Sequence, residues 1–131
     1  MRGKRSERNL PISIIMGDVN RLKLVNDAFG HERGDELLHK AAGAIRNSCR
    51  SEDIVGRWGG DEFVIVLPNT NSKEVIEIIN RIKKRCSNEY VNSLSMSISF
   101  GWETKRSACE DIFKVMNNAE DYMQNSIFLG G

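Results

Sequence analysis

An α+β domain, built as one mixed, mainly antiparallel central sheet with flanking helices, is the fold class this sequence predicts, and three observations carry the prediction. Gly59-Gly60 separates two strand-like runs, the mark of a tight hairpin. Leu94, Met96, Ile98 and Phe100 alternate with Ser95, Ser97, Ser99 and Gly101, the period of a half-buried strand. Three other stretches repeat their apolar residues at helical spacing.

The elements follow in order. The apolar run Ile12 to Met16 reads as a strand that ends at Asp18. Leu38, Ala41, Ala42, Ile45 and Cys49 then predict a helix from about Gly34 to Cys49. The run before Gly59 and the run Phe63 to Leu67 form the arms of the hairpin. Val75, Ile78, Ile79, Ile82 and Cys86 mark a second helix, with Asn71 and Glu74 as the capping box at its start. After the alternating strand, Ser107 and Glu110 read as a capping box before Ile112, Val115, Met116, Ala119 and Met123, a third long helix. Met96, Met116 and Met123 read as core fillers. The order is strand, helix, strand, hairpin, strand, helix, strand, helix, which one sheet carrying helices on its face satisfies.

Composition narrows the function. The chain has 131 residues, 40% of them hydrophobic, so one domain with one core is expected. Nineteen basic against eighteen acidic residues leave a formal charge of +1, which argues against a nucleic acid polymer as partner. A nucleotide would have to be held locally. Cys49, Cys86 and Cys109 are odd in number and widely spaced, without metal-finger spacing to His31 or His39; they read as reduced, mostly buried thiols. No run approaches bilayer-spanning length, and basic Met1 to Arg8 lacks the apolar stretch of a secretory signal. A cytoplasmic chain without membrane contact is the expectation.

Two clusters concentrate the chemistry. In Arg57-Trp58-Gly59-Gly60-Asp61-Glu62-Phe63, two glycines meet two carboxylates at a turn, and the missing Cβ atoms would let phosphates approach the backbone. Asp18 ends the first strand, so it and Asp61 could converge on a divalent cation, with the Val19 carbonyl as a further oxygen ligand. Downstream, Lys23 offers a point charge to a phosphate, while Asn26 and Asp35 supply the donor and acceptor pattern of a guanine edge. Read singly, each has a plainer role: a solvated lysine, turn-forming Asn26 and Asp27, a helix-capping His31, a first-turn acid at Asp35.

Together the clusters resemble the GGDEF family of diguanylate cyclases. The signature Gly-Gly-Asp-Glu-Phe stands at Gly59 to Phe63, and Asp18, Lys23, Asn26, Asp27, Gly30, His31, Gly34 and Asp35 fall in register with the family's upstream block. The resemblance runs from roughly Ile12 to Met123, and 1–131 reads as a single such domain trimmed at both ends. It implies the palm-like fold of nucleotidyl cyclases, with a ferredoxin-like core. The implied reaction joins two GTP into cyclic di-GMP and releases two pyrophosphates, each 3′-hydroxyl attacking the other nucleotide's α-phosphorus across a homodimer. Two Mg2+ (or Mn2+) per site are implied, held by Asp18, the carbonyl of Val19, Asp61 and Glu62. Asp61 is the implied proton acceptor, assisted by Glu62, and Lys23 stabilises the transition state. Asn26 and Asp35 read guanine, His31 sits at the rim, and Gly59 and Gly60 leave room for the α-phosphate.

The resemblance also implies a product-inhibition site. Arg50-Ser51-Glu52-Asp53 stands where family members carry Arg-x-x-Asp, and cyclic di-GMP binding there competes with the reading as a helix-end ion pair. Some features depart from the family. Its opening Asp-x-Leu-Thr-Gly-Leu-x-Asn-Arg has no counterpart, Asn20 replaces an aspartate, and Gln124 to Gly131 lacks the lysine and arginine that hold the triphosphate tail. A missing final strand would leave a sheet edge exposed. The alternative function is therefore a catalytically weak or inactive module that binds GTP or cyclic di-GMP for regulation.

Overall fold

A computed structural model describes residues 9–107 and 110–130 of the chain. Cys109 and the side chains of the tail Ile127 to Leu129 lie outside what is described. Strand β1 (Ile12–Val19) is central, which is why Ser13 to Gly17 are all buried despite the strand's alternation. β2 (Ile54–Arg57), β3 (Glu62–Leu67) and β6 (Ile98–Lys105) complete a four-stranded sheet in the order β2-β3-β1-β6, with every pair antiparallel.

Alternation sends successive residues of β1 and β3 to opposite faces. Ile15, Val19, Phe63, Ile65 and Leu67 face the larger core with α2 (His31–Ser48) and α3 (Ser72–Cys86). Ile14 and Met16 face a second cluster under α4 (Ile112–Gly130), with Val115, Ala119 and Met123. Length suggested one core; helices on both faces of the sheet make two. Met96 and Met123 are buried as expected, and Met116 packs at the edge of the second cluster.

Several boundaries differ from the sequence reading. Asn26 and Asp27 belong to a helix, α1 (Leu22–Phe29), rather than to a turn. The turn is Gly30 alone, whose φ of 92° lies where a side chain is strained, and α2 follows at His31. Its buried stripe is Leu37, Ala41, Ala44 and Ile45, with Leu38 and Ala42 on the flank. The alternating run from Leu94 to Phe100 is two strands. β4 (Tyr90–Val91) and β5 (Leu94–Ser95) form a separate hairpin around Asn92 and Ser93, both at positive φ (48° and 73°), as a two-residue primed turn demands. Alternation hides the break because Met96 on one side and Ile98 on the other feed the same core.

Helix starts are equally instructive. The Asn71–Glu74 capping box is complete: Glu74 N donates to Asn71 Oδ1 at 2.9 Å and Asn71 N to Glu74 Oε1 at 3.1 Å. Ser107 and Glu110 do not cap α4. Glu110 Oε1 accepts from Arg106 N and Ser107 N, while Asp111 Oδ1 takes Phe113 N at 2.9 Å, directly ahead of the helix. Gly101 of β6 faces α4 so closely that a Cβ there would strike Ala119 O and Met123 N. This missing side chain lets the helix sit directly on the sheet. β6 is an edge strand among the described residues.

Candidate active site

Cross-strand register brings the acids together. Asp18 pairs with Glu62 in the β1–β3 ladder, and Val19 N donates to Asp61 O at 2.9 Å. Asp18, Asp61 and Glu62 each offer a carboxylate oxygen, and the three lie within 4.8 Å of one another. Burial pushes the Asp18 carboxyl up to about 7, helped by a hydrogen bond to Asp61 and by the charges of Asp61, Glu62 and Glu120. Burial also raises Glu62, and the charges of Glu120 and Asp61 raise it further. Like charges gathered at half-buried positions are unfavourable unless a cation is shared between them. Hard oxygen donors of this kind fit magnesium or manganese.

Glu120 escaped the sequence reading. It lies on α4, 58 positions beyond Glu62 in a polar stretch of helix, and nothing local marks it.

The turn between β2 and β3 is the expected hairpin, with Arg57 opposite Phe63 and Trp58 N donating to Glu62 O at 2.9 Å. The Arg57 guanidinium donates across the turn to Gly60 O. Neither Gly59 nor Gly60 has positive φ, and a Cβ built on either meets nothing within 4 Å. The fold itself therefore has no need of glycine there. The space their missing side chains leave opens outward, beside the carboxylates.

Gly34 is different. A Cβ on it would collide with Asn26 Oδ1, so the glycine lets the Asn26 amide nest against α2, one residue from Asp35. Asp35, Leu38, His39 and Ala42 from one face of α2 line a cavity of about 290 Å3 with Arg57 and Phe63. Among the described residues the histidine on this cavity is His39; His31 opens α2 and is exposed. The i, i+4 spacing from Asp35 was the available signal for His39. Lys23 is exposed on α1 and makes no ion pair among the described residues. Asn20 is a latch: its amide donates to Ser97 Oγ and accepts from Ser99 Oγ, both at 2.9 Å, tying β1 to the start of β6.

Arg50 and Asp53 lie apart from this centre, at the end of α2. Arg50 NH2 donates to Asp53 Oδ1 at 3.2 Å, to Pro68 O at 3.0 Å and to Thr70 Oγ1 at 2.5 Å, and the Asp53 side chain is fully covered. Arg46 and Arg81 join Arg50 around Cys49, with Arg81 donating to Ser48 O at 3.1 Å. Burial pushes the Cys49 and Cys86 thiols up to about 11, so neither supplies a thiolate at neutral pH. No helix among the described residues is long and apolar enough to cross a membrane.

Comparison with known proteins agrees with this geometry. The family model described as "Diguanylate cyclase, GGDEF domain" matches residues 2–127. Diguanylate cyclase DosC of Escherichia coli (strain K12) is 36% identical over 96 residues, 70% of this chain and 21% of DosC. The chain thus spans about a fifth of that relative's length. The crystal structure of diguanylate cyclase SiaD from Pseudomonas aeruginosa, in complex with its activator SiaC, superposes with a TM-score of 0.87 at 30% identity, covering 98% of this chain and 51% of SiaD. The active GGEEF domain of a diguanylate cyclase from Vibrio cholerae gives 0.83 at 28% identity, over 95% of this chain and 80% of that one. With a family match over nearly its whole length and the signature residues gathered at the strand ends, the chain belongs to the GGDEF family.

Proposed function

We propose that this chain is the catalytic domain of a diguanylate cyclase, which condenses two GTP into cyclic di-GMP and releases two pyrophosphates. The convergence of Asp18, Asp61 and Glu62 beside a turn whose glycines the fold does not require is the observation that carries it. In each half-reaction a bond forms between a 3′-oxygen and an α-phosphorus. The α–β phosphoanhydride breaks, pyrophosphate leaves, and the hydroxyl proton passes to a carboxylate. Asp61 takes that proton, with Glu62 assisting. Two Mg2+ (or Mn2+) per site, held by Asp18, the Val19 carbonyl, Asp61 and Glu62, would supply charge neutralisation and a more acidic nucleophile.

The other residues hold the nucleotide. Lys23, without an ion-pair partner among the described residues, meets the phosphates as charge builds on them. The cavity between α2 and β3 suits a purine, with Leu38 and Phe63 offering apolar walls and Asp35 and Asn26 the polar edge contacts. His31 stands at the rim. Gly59 and Gly60 admit the α-phosphate. Each site holds one GTP, so two subunits must face each other for the two hydroxyls to attack across the pair. GTP as substrate places the domain in the cytoplasm.

Cyclic di-GMP also binds at Arg50 and Asp53, by exchange of the Arg50 fork from Asp53, Pro68 and Thr70 to the ligand. The clustering of Arg46 and Arg81 nearby supports an anionic ligand there. Calorimetric titration of cyclic di-GMP into the protein should give binding heat that Arg50→Ala loses, and equal heats would remove this site.

Incubation with GTP and Mg2+, followed by chromatography, tests the main reading. Cyclic di-GMP should accumulate with the native chain. Asp61→Asn should lower its formation by a factor of about 1,000 or more without changing the fold, a scale typical of lost charge stabilisation and proton transfer. Bound GTP without product at high protein concentration would instead favour the regulatory module.

A further inference from the structure

Gly43 lies inside α2, where a glycine destabilises a helix relative to alanine because it gives up more chain entropy on folding. Nothing in the fold asks for it. Its φ is not positive, and a Cβ built on it meets nothing within 4 Å. The open space belongs to a cavity of about 270 Å3 between α2 and the end of α3. His39, Gly43 and Asn47 stand four residues apart, so one face of α2 presents an imidazole, a gap and an amide in turn. His39 also borders the cavity beside Asp35. Arg85, in the last turn of α3, forms the other wall and makes no ion pair among the described residues. The lining's one carboxylate, Glu89, is held by Lys40 at 3.3 Å, and Lys40 Nζ also donates to Tyr90 O at 3.0 Å. That leaves the guanidinium charge uncompensated. Lys83 and Lys84 stand beside Arg85 in the last turn, and the three cations outweigh the partial negative charge of the helix end.

We infer that this cavity is an anion site, built from residues other than the acid cluster and the Arg50–Asp53 pair, which takes the phosphoryl group of a small molecule. A guanidinium fork pairs with phosphate oxygens two at a time, and the Asn47 amide and a ring nitrogen of His39 add donors beside it. Volume sets the size of the ligand. Pockets for drug-sized molecules start at about 300 Å3, so this one holds a phosphoryl group and few further atoms. Gly43 then has its reason: the anion comes closer to α2 than a side chain would allow.

The test is titration of inorganic phosphate into isotopically labelled, nucleotide-free protein at constant ionic strength without divalent cations, followed by two-dimensional NMR. The Gly43 amide, the Asn47 side-chain amide and Arg85 Nε should shift together and saturably. Arg85→Gln should weaken that binding about 10-fold or more, the scale of a lost hydrogen bond to a charged group. Lys84→Gln, which removes the same charge one residue away, should bind as the native chain does. Gly43→Ala separates site from fold: it should lose the binding while melting about 3 °C higher, the gain of alanine over glycine inside a helix. Lys23→Ala and Arg50→Ala should keep the shifts, so phosphate at the proposed substrate or product sites is told apart from phosphate here. Equal losses in Arg85→Gln and Lys84→Gln would show diffuse attraction only and overturn the inference. So would a native chain without saturable shifts at these three residues, or a Gly43→Ala variant that melts lower or binds phosphate undiminished.

Discussion

Asp18 is held in a position its own charge opposes. Its carboxyl is pushed from 3.8 up to about 7 by burial first and by Asp61 second. A carboxyl whose folded pKa exceeds its unfolded value binds its proton more tightly in the native state, so its contribution favours folding at low pH. That contribution is lost as pH rises from about 4 through about 7. Metal-free protein should therefore melt progressively lower across this window, when followed by circular dichroism in chelator. Added Mg2+ should restore the melting temperature at pH 8 and do little at pH 4. Asp18→Asn should remove most of the pH dependence and, at pH 8 in chelator, melt about 3 °C higher than the native chain, a shift of about 1 kcal/mol after solvent screening. The same change should abolish cyclic di-GMP formation. A variant less stable than the native chain at pH 8 would mean that Asp18 serves the fold rather than the ligand.

Among the elements, α4 and β6 depend on one missing side chain. Gly101→Ala would drive a Cβ into the α4 backbone at Ala119 and Met123, and backbone yields less readily than a flexible side chain. Overpacking of this kind costs about 1–3 kcal/mol, and urea unfolding should show a loss at the upper end of that range. Activity should fall with it, since α4 covers the face on which Asp18 and Glu62 stand. Gly56→Ala is the contrast: its Cβ would meet only Val64 at 3.7 Å, ordinary contact, and should change stability by less than about 1 kcal/mol. The hairpin before β3 behaves differently again. Gly59 and Gly60 could carry side chains without strain inside the fold, so substitution there should spare stability and lower turnover.

At the scale of the whole molecule, the proposed reaction makes the chain half of a reaction centre. In the proposed reading, the cavity beside Asp35, the three acids and Lys23 hold one nucleotide, and the condensation needs two such sites face to face. Specific activity should then rise with protein concentration until the dimer saturates, approaching proportionality when dilute. A specific activity independent of concentration down to the nanomolar range would require either a very tight dimer or a different reaction, and sedimentation at the same concentrations separates the two. A formal charge of +1 offers little general attraction to GTP, which leaves the proposed binding to local groups such as Lys23.

Much of this architecture is legible in the letters, for local reasons. Helical spacing located α3 to within a residue because Asn71 and Glu74 cap it through contacts three positions apart. The hairpin at Gly59-Gly60 was equally plain in position, although neither glycine has positive φ and the turn does not depend on them. Spacing failed where a neighbour decided: Leu94 to Phe100 keeps its alternation across a break that only pairing with β4 reveals, and α1 is too short for its one buried residue, Val25, to show a period. The site divides in the same way. Asp18, Asp61, Glu62, Asn26 and Asp35 stand out as candidates in the sequence because each belongs to a dense motif at a strand or helix end. Glu120, His39 and Arg81 needed tertiary structure, because their place in the molecule comes from the packing of whole helices against the sheet and not from the residues beside them in the chain.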